Sequence, residues 1–366
     1  MIVNLSALRH NADAWRAFAG GRRLYAVVKA DAYGIGTARA VGALDDRVDA
    51  WCVTSLEEAR SVRACSPRRI ICIAALPEQH VDEAVALGVE PSIGSPADVR
   101  ALERVASTLG VRVRAQLAIR SVAGWVGVAP DDAAELAREI VGGRAIEIVE
   151  AWTHLSGEPE SKAQAAAFQR AQDAMRTAGL HVADHHVAST APTLWFDGAP
   201  PGGAVRIGIG LFGSTMGAAG RRAPSLSQAL EVRCPIERVE EIEAGVGVGY
   251  GAAYTTREGD RLVTARFGYA DGMPRAFVAA SPTVATATTD VRVVAMGMQF
   301  LTCVGTARPS EAVEILGPRR PLDDVARAAG VLPHELVLSL ATAAVASGTL
   351  VDSHAGAGYT TSGASR

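Results

Sequence analysis

A chain of 366 residues with 36 basic and 39 acidic side chains, and a net charge of -3, has no charge block with which to hold nucleic acid or an acidic membrane. Its length exceeds one ordinary core and suits a large barrel plus a second domain. Five cysteines (Cys52, Cys65, Cys72, Cys234, Cys303) without a CxxC spacing, and a start, MIVNLSALRH, without a basic, apolar, cleavable leader, predict a reduced cytoplasmic protein whose partner is a small molecule.

In chain order, β-rich runs alternate with alanine-rich helical stretches between positions 24 and 213. The runs are LYAVVKA, AWCVTS, RRIICIA, VEPSI, VRVRAQL, IEIVEAWTH, LHVADHHVAS and AVRIGIGLF. Amphipathic patterns such as DDAAELAREIV and KAQAAAFQRAQDAMRTAG separate them. Eight strands alternating with helices predict an α/β fold whose amino-terminal part, 1–222, is a (β/α)8 TIM-like barrel. A doubly wound sheet shares the alternation, and the count of eight is what separates the two. Beyond GRRAPSLSQ the texture changes to ALEVRCPIERVEEI, GVGVGYGAAYTT, DRLVTARFG, DVRVVAMG and AVEIL, which predict a mostly-β domain over 223–366. The uncharged stretch 336–351 falls short of the roughly 20 apolar residues of a membrane span and reads as a buried helix. The tail SHAGAGYTTSGASR has the composition of a disordered terminus.

Lys29 ends the first run, at the strand face where barrels place their chemistry. It is either a snorkelling lysine or, if buried, an amine whose lowered pKa suits it to condense with an aldehyde. GIGLFG, 208–213, matches a dinucleotide fingerprint with Glu231 about 20 residues on, but STMGAAGRRAP opens no helix after it. A phosphate site of backbone amides after the last barrel strand suits it better, and lysine and phosphate on adjacent strands suggest pyridoxal phosphate. His154 points into the same mouth or is a hydrogen-bonded core histidine. His181, Asp184, His185 and His186 are of metal-ligand type but lack a helical HExxH frame or nearby cysteines, so no metal is expected. Tyr250 closes the glycine-spaced run GVGVGY, where a tyrosine is usually packing.

Together these segments resemble the alanine racemase family, in order and over nearly the whole chain. AVVKADAYGIG resembles its cofactor-lysine motif, THL its barrel histidine, VRIGIGLFG its arginine and phosphate segment, VGYGAAY its catalytic tyrosine loop and FGYADGMPR the strand after it. The resemblance implies a fold-type III pyridoxal phosphate enzyme, with a head-to-tail homodimer in which one subunit's β domain completes the other's site. It implies that Lys29 holds the cofactor covalently and serves as base on one face of a small amino-acid or amine substrate. The base on the other face would be Tyr250 of the partner subunit. Tyr33, Ser189, Thr190, Gly208 and Ile209 are implied at the phosphate, His154 against the pyridine ring linking Tyr250 to Arg206, and Arg206 at the pyridine nitrogen. A guanidinium only donates, so that nitrogen stays unprotonated and the ring is a weaker electron sink, which favours brief proton transfer.

The departures concern substrate recognition. In LAIRSVAGWVGV, Ala118 stands where the family has a lysine, Arg120 where it has an aspartate and Trp125 where it has the arginine that helps hold the substrate carboxylate. The family's Cys-Met-Asp segment becomes Met298, Gln299 and Phe300, and its late tyrosine becomes Leu340, while Tyr269 remains. An indole cannot make the bidentate contact of a guanidinium. The expectation is therefore a racemase or epimerase acting on an amino acid other than alanine, apolar, aromatic or larger, in a specialised pathway such as secondary metabolism, with Arg120, Trp125, Tyr269, Gln299 and Phe300 near the substrate. A decarboxylase or aldolase-type enzyme, and a silent cofactor-binding homologue, are the alternatives.

Overall fold

In a computed structural model of the chain, which describes residues 1–353 apart from 144, 158, 218 and 219, the amino-terminal unit, Asn11–Leu226, is a barrel of eight parallel strands. They are Arg23–Val27, Ala50–Val53, Arg69–Cys72, the short pair Val89–Glu90 and Ser92–Ile93 around Pro91, Val113–Ala118, Ile146–Trp152, His185–His186 and Ala204–Ile207. The last strand pairs with the first, Ala204 to Ile207 against Arg23 to Ala26. Gly203 N donates to His185 O at 3.1 Å and Arg206 N to Ala188 O at 2.9 Å, so the seventh and eighth strands close the ring. Proline, with no N–H, splits the fourth strand, yet its carbonyl still accepts from Gln116 N at 2.8 Å. The run predicted around HVADHH contributes only two strand residues.

Helices cover the outside, two of them started by a serine cap. Ser55 Oγ accepts from Glu58 N at 3.2 Å before Leu56–Arg63, and Ser95 Oγ accepts from Asp98 N at 3.3 Å before Pro96–Leu109. The two amphipathic patterns named above form Ala133–Gly143 and Ser161–Thr177.

Inside the barrel the apolar strands carry a polar layer. Tyr25 Oη donates to Glu150 Oε1 at 2.6 Å, Arg69 reaches Glu90 at 2.8 Å and Glu150 at 2.9 Å, and Gln116 Nε2 donates to Glu90 Oε2 at 2.6 Å. Tyr25, Gln116 and Glu150 are buried, and a buried charge is tolerable only when paired and hydrogen-bonded.

The second unit comprises Met1–His10 and the chain from Ser227 onward. The first ten residues, expected with the barrel, group here because Ile2–Asn4 pairs antiparallel with Leu230–Glu241 and parallel with Val351–Ser353. The long strand Leu230–Glu241 pairs with Ala312–Leu316 through its first half and with Arg261–Ala265 through its second, curling an eight-stranded sheet back on itself. A separate hairpin, Gly247–Val248 with Tyr254–Thr255, lies over this sheet through Val248, Val294 and Ala295. No single helix among the described residues is long and apolar enough to cross a membrane. Leu322–Ala329 and Pro333–Ala346, apolar enough only as a pair, are bent by 91° at their junction. The expectation for the tail, Tyr359 included, lies outside the described residues.

Replacing Tyr25 with Phe removes one of the bonds that satisfy Glu150, and we expect unfolding free energy to fall by about 1–2 kcal/mol. Urea denaturation of wild type and Tyr25→Phe tests this; an unchanged midpoint would count against a structural role for the polar layer.

Candidate active site

Lys29 does not continue the first strand, which stops at Val27. The chain enters a left-handed turn at Ala30 (φ 53°, ψ 51°), Asp31 (52°, 51°), Ala32 (53°, 52°) and Tyr33 (φ 58°) before Gly34. Four consecutive non-glycine residues in this region cost about 1–2 kcal/mol each. Bonds hold the turn at both ends: Glu58 Oε1 accepts from Ala30 N at 2.6 Å and Asp31 Oδ1 from Thr37 N at 2.6 Å. Ala32 and Tyr33 are buried, whereas Lys29 is exposed at the rim, so of the two readings of this lysine the buried one is not met. The peptide turns away from the strand line immediately after it, leaving the lysine above the barrel mouth.

Tyr33 reaches a cradle formed by two helical starts. Its ring packs edge-on to Phe212, 5.4 Å between centroids, and a Cβ at Gly208 would lie 2.1 Å from its hydroxyl. Ser189 precedes the helix Thr190–Trp195, and Gly208 precedes the 3-10 turn Ile209–Phe212. Gly210 N donates to Thr190 Oγ1 at 3.3 Å, setting the two starts side by side. First-turn amides lack intrahelical partners and favour anions, so Tyr33, Ser189, Thr190, Gly208 and Ile209 converge on an anion-receptive place.

Arg206 is buried at 1% exposure. It donates to His186 Nδ1 at 2.6 Å, His186 O at 2.7 Å and Thr153 O at 2.7 Å, and stacks over Trp152. Burial lowers it to about 10, still protonated at neutral pH. The histidine bonded to Arg206 is therefore His186, weighed in the sequence only as a metal ligand, and not His154, whose expected link to Arg206 is reduced to an electrostatic one. His186 Nε2 pairs with Gln116 Oε1 at 3.2 Å, and among the described residues no cluster of His, Cys, Asp or Glu could hold a metal ion.

His154 lines a cavity of about 380 Å³ with Lys29, Ile119, Trp125 and Trp152. Burial, with Arg206 and Lys29 nearby, lowers it to about 3, so the ring is neutral. The Trp125 ring, 44% exposed, leans on it at 5.1 Å between centroids. Arg120 is exposed and outside the lining, its backbone folded onto Val128 by a 2.8 Å bond, while Ala118 is fully buried. Among the described residues, Lys29 is the only lysine or arginine lining this cavity.

Tyr250, Tyr269, Gln299 and Phe300 belong to the other unit. Tyr250 stands 79% exposed between Gly249 (φ 79°) and Gly251 (φ 69°), conformations that suit glycine and push the phenol outward. Tyr269 N donates to Gly297 O at 3.2 Å and Ala270 N to Met298 O at 3.0 Å, which brings Tyr269 to the loop carrying Gln299 and Phe300. Leu340, the expected replacement for an entrance tyrosine, is buried in helix Pro333–Ala346. Sequence reading missed Glu58 and Gln116 and weighed His186 only as a metal ligand; their partners lie far away in sequence, so no local pattern marks them.

The family descriptions "Alanine racemase, N-terminal domain" and "Alanine racemase, C-terminal domain" match residues 3–216 and 229–346. An alanine racemase of Azoarcus sp. (strain BH72) is 30% identical over 348 residues, spanning 93% of this chain and 96% of its own. The crystal structure of biosynthetic alanine racemase from Pseudomonas aeruginosa superposes with a TM-score of 0.84 at 27% identity, over 96% of this chain and 98% of that one. Alanine racemase from Bartonella henselae with covalently bound pyridoxal phosphate shares the fold, with a TM-score of 0.81 at 24% identity over 93% and 96% of the two chains.

Both histidines near Arg206 are held below their ordinary 6.5, His186 by burial and then by Arg206, and His154 to about 3. In the unfolded chain they titrate near 6.5, so below that pH the unfolded state takes up protons that the fold refuses, and stability falls as pH drops toward about 3. Denaturant titrations across this window should give a shallower pH slope for His154→Gln than for wild type, and identical slopes would contradict the neutral assignment.

Proposed function

The chain belongs to the alanine racemase family and is a pyridoxal phosphate-dependent, racemase-like isomerase; within that family we propose that it moves the α-proton of an amino acid other than alanine. The residues present suit the cofactor. Tyr33, Ser189 and the first-turn amides at Thr190 and Ile209 form a donor set for a phosphate, and Gly208 leaves room for the Tyr33 hydroxyl that a Cβ would displace. Lys29 offers the amine for the aldehyde, and a group that reaches Arg206 meets a cation that donates and never accepts. When bound, pyridoxal phosphate draws electrons from the substrate's α-carbon and makes its proton removable.

Lys29 Nζ would take or return that proton on one face. Tyr250 of the partner subunit would do so on the other, in a head-to-tail homodimer. What favours the dimer is the exposed group Tyr250, Met298 (55%) and Phe300 (42%), apolar surface of the kind a partner covers. His154, held neutral, can exchange a hydrogen bond with a phenol without adding charge. The described cysteines are all free and four are buried, in keeping with a reducing cytoplasm.

The substrate reading rests on Trp125. Its indole occupies the cavity wall against His154, and among the described residues Lys29 is the one lysine or arginine lining that wall, so none of them offers a guanidinium to grip a carboxylate. An aromatic or large apolar side chain gains area against Trp125, with Gln299 and Phe300 of the partner subunit closing the mouth.

The test is deuterium uptake at the α-carbon, with chiral separation, for the cofactor-loaded enzyme in D₂O with pooled L- and D-amino acids. Exchange with inversion should favour large apolar substrates over alanine, Lys29→Ala and Tyr250→Phe should each abolish it, and Trp125→Arg should raise alanine turnover about tenfold. Alanine as the preferred wild-type substrate would refute the specificity claim. Release of carbon dioxide or an aldehyde without exchange would move the assignment to decarboxylation or aldol cleavage, as the missing carboxylate grip also allows.

A further inference from the structure

We propose that Glu58 is a positioning residue for Lys29, holding by its carboxylate the left-handed turn on which the lysine is mounted. Glu58 is the third residue of helix Leu56–Arg63, where a glutamate commonly reaches back to cap the helix start. One oxygen reaches back one residue beyond the Ser55 cap: Oε2 accepts from Thr54 N at 2.6 Å and from Thr54 Oγ1 at 3.1 Å. Capping does not account for the other oxygen, which accepts from Ala30 N at 2.6 Å, 28 residues away in sequence. Ala30 follows Lys29 directly and is the first residue at positive φ. Both bonds are short and charge-assisted, and together they tie the end of the second barrel strand to the peptide that leaves Lys29.

The turn has a built-in tendency to relax. Ala, Asp, Ala and Tyr all prefer right-handed or extended backbone, and Ala30 is exposed, so its neighbours do not pin it by packing. The Ala30 N–H belongs to the Lys29–Ala30 peptide, so its bond to Glu58 fixes the plane of the peptide on which the lysine is mounted. Losing that bond frees the peptide to swing and turn the amine from the cavity that it lines. From that held plane the chain enters the left-handed turn at Ala30, so the carboxylate anchors the start of the turn and keeps the amine in place.

This rests on Lys29 being the cofactor attachment, and the experiment separates the two. Wild type, Glu58→Gln, Glu58→Ala, Ser55→Ala and the double variant Glu58→Ala with Ala30→Gly are incubated with graded pyridoxal phosphate and reduced with borohydride. Adducts are mapped by peptide mass, and the melting temperature of each apoprotein and the kcat and KM of each loaded enzyme are measured. We expect Glu58→Ala and Glu58→Gln to need about tenfold more cofactor for equal labelling of Lys29 and to lose kcat with little change in KM. Glutamine fails because its single carbonyl oxygen cannot serve both amides, so its NH₂ group meets an N–H donor. Ala30→Gly should restore part of the labelling lost in Glu58→Ala, since glycine accepts positive φ without strain. Ser55→Ala should lower the melting temperature and leave labelling unchanged. Wild-type labelling in Glu58→Gln, no restoration by Ala30→Gly, or labelling that merely follows melting temperature across the set would overturn the proposal. Label on a lysine other than Lys29 in wild type would overturn the attachment itself, and this inference with it.

Discussion

A guanidinium buried in the barrel sets the terms for the residues around it. Arg206 has only donors, so His186 Nδ1, 2.6 Å away, must be an acceptor, and the ring's proton must sit on Nε2. That proton points to Gln116 Oε1 at 3.2 Å, which fixes the orientation of the amide and turns its NH₂ group toward Glu90 at 2.6 Å. Burial pushes Glu90 up, but its bonds to Arg69, Gln116 and Arg114 outweigh this and hold it below the usual carboxylate range. Glu150 takes the remaining donors, from Tyr25, Arg69 and Arg23. The orientations of His186 and Gln116 follow from the one charge at the head of this column. Buried ion networks of this kind seldom add net stability over apolar packing; what this one supplies is a single position for Arg206.

Two further constraints place the lysine and the cradle around that fixed point. The strands that carry Arg206 and Tyr25 are paired directly, Arg206 opposite Tyr25, so Lys29 and Gly208 leave adjacent strands two or more residues beyond the same level. From there the chain diverges in opposite ways. After Gly208 it tightens into a 3-10 turn, which presents amides; after Lys29 it winds left-handed, which buries Tyr33 against Phe212 and brings the hydroxyl to Gly208. A right-handed turn at Ala30 would send Tyr33 elsewhere, so the strain in one loop and the missing side chain in the other are a single fitted pair.

Alternation made the architecture legible: each of the eight runs contributed a barrel strand, most plainly where a strand buried on both faces reads as a nearly continuous apolar run, as in LYAVV and RIICIA. It also marked where the texture turns to β alone. The misses share a cause, in that each depends on contacts between residues far apart in sequence. Local propensity in Ala-Asp-Ala-Tyr opposes a left-handed turn, and Glu58, Asp31, the packing of Tyr33 and the turn's own backbone bonds, such as Gly34 N to Ala30 O at 2.8 Å, override it. His154 and His186 are equivalent as letters; the strand register decides which one meets Arg206. Ile2–Asn4 is too short to announce that it belongs with a sheet more than 200 residues away.

The same electrostatics bear on the change at position 125. His154 already lies under the influence of two cations, Arg206 and Lys29, which together with burial keep it neutral. A guanidinium in place of the Trp125 ring would add a third cation beside it, useful where a substrate carboxylate arrives to balance the charge and unfavourable where none does. An indole at 5.1 Å adds no charge, shields the imidazole on one side and offers its outer face, 44% exposed, to an apolar group. In the proposed function Trp125 withdraws carboxylate recognition from the barrel mouth while leaving His154 neutral, as burial, Arg206 and Lys29 hold it. On the proposed reading, selectivity at this site has shifted from the acid end of the substrate to its side chain, with the proton-transfer groups left in place.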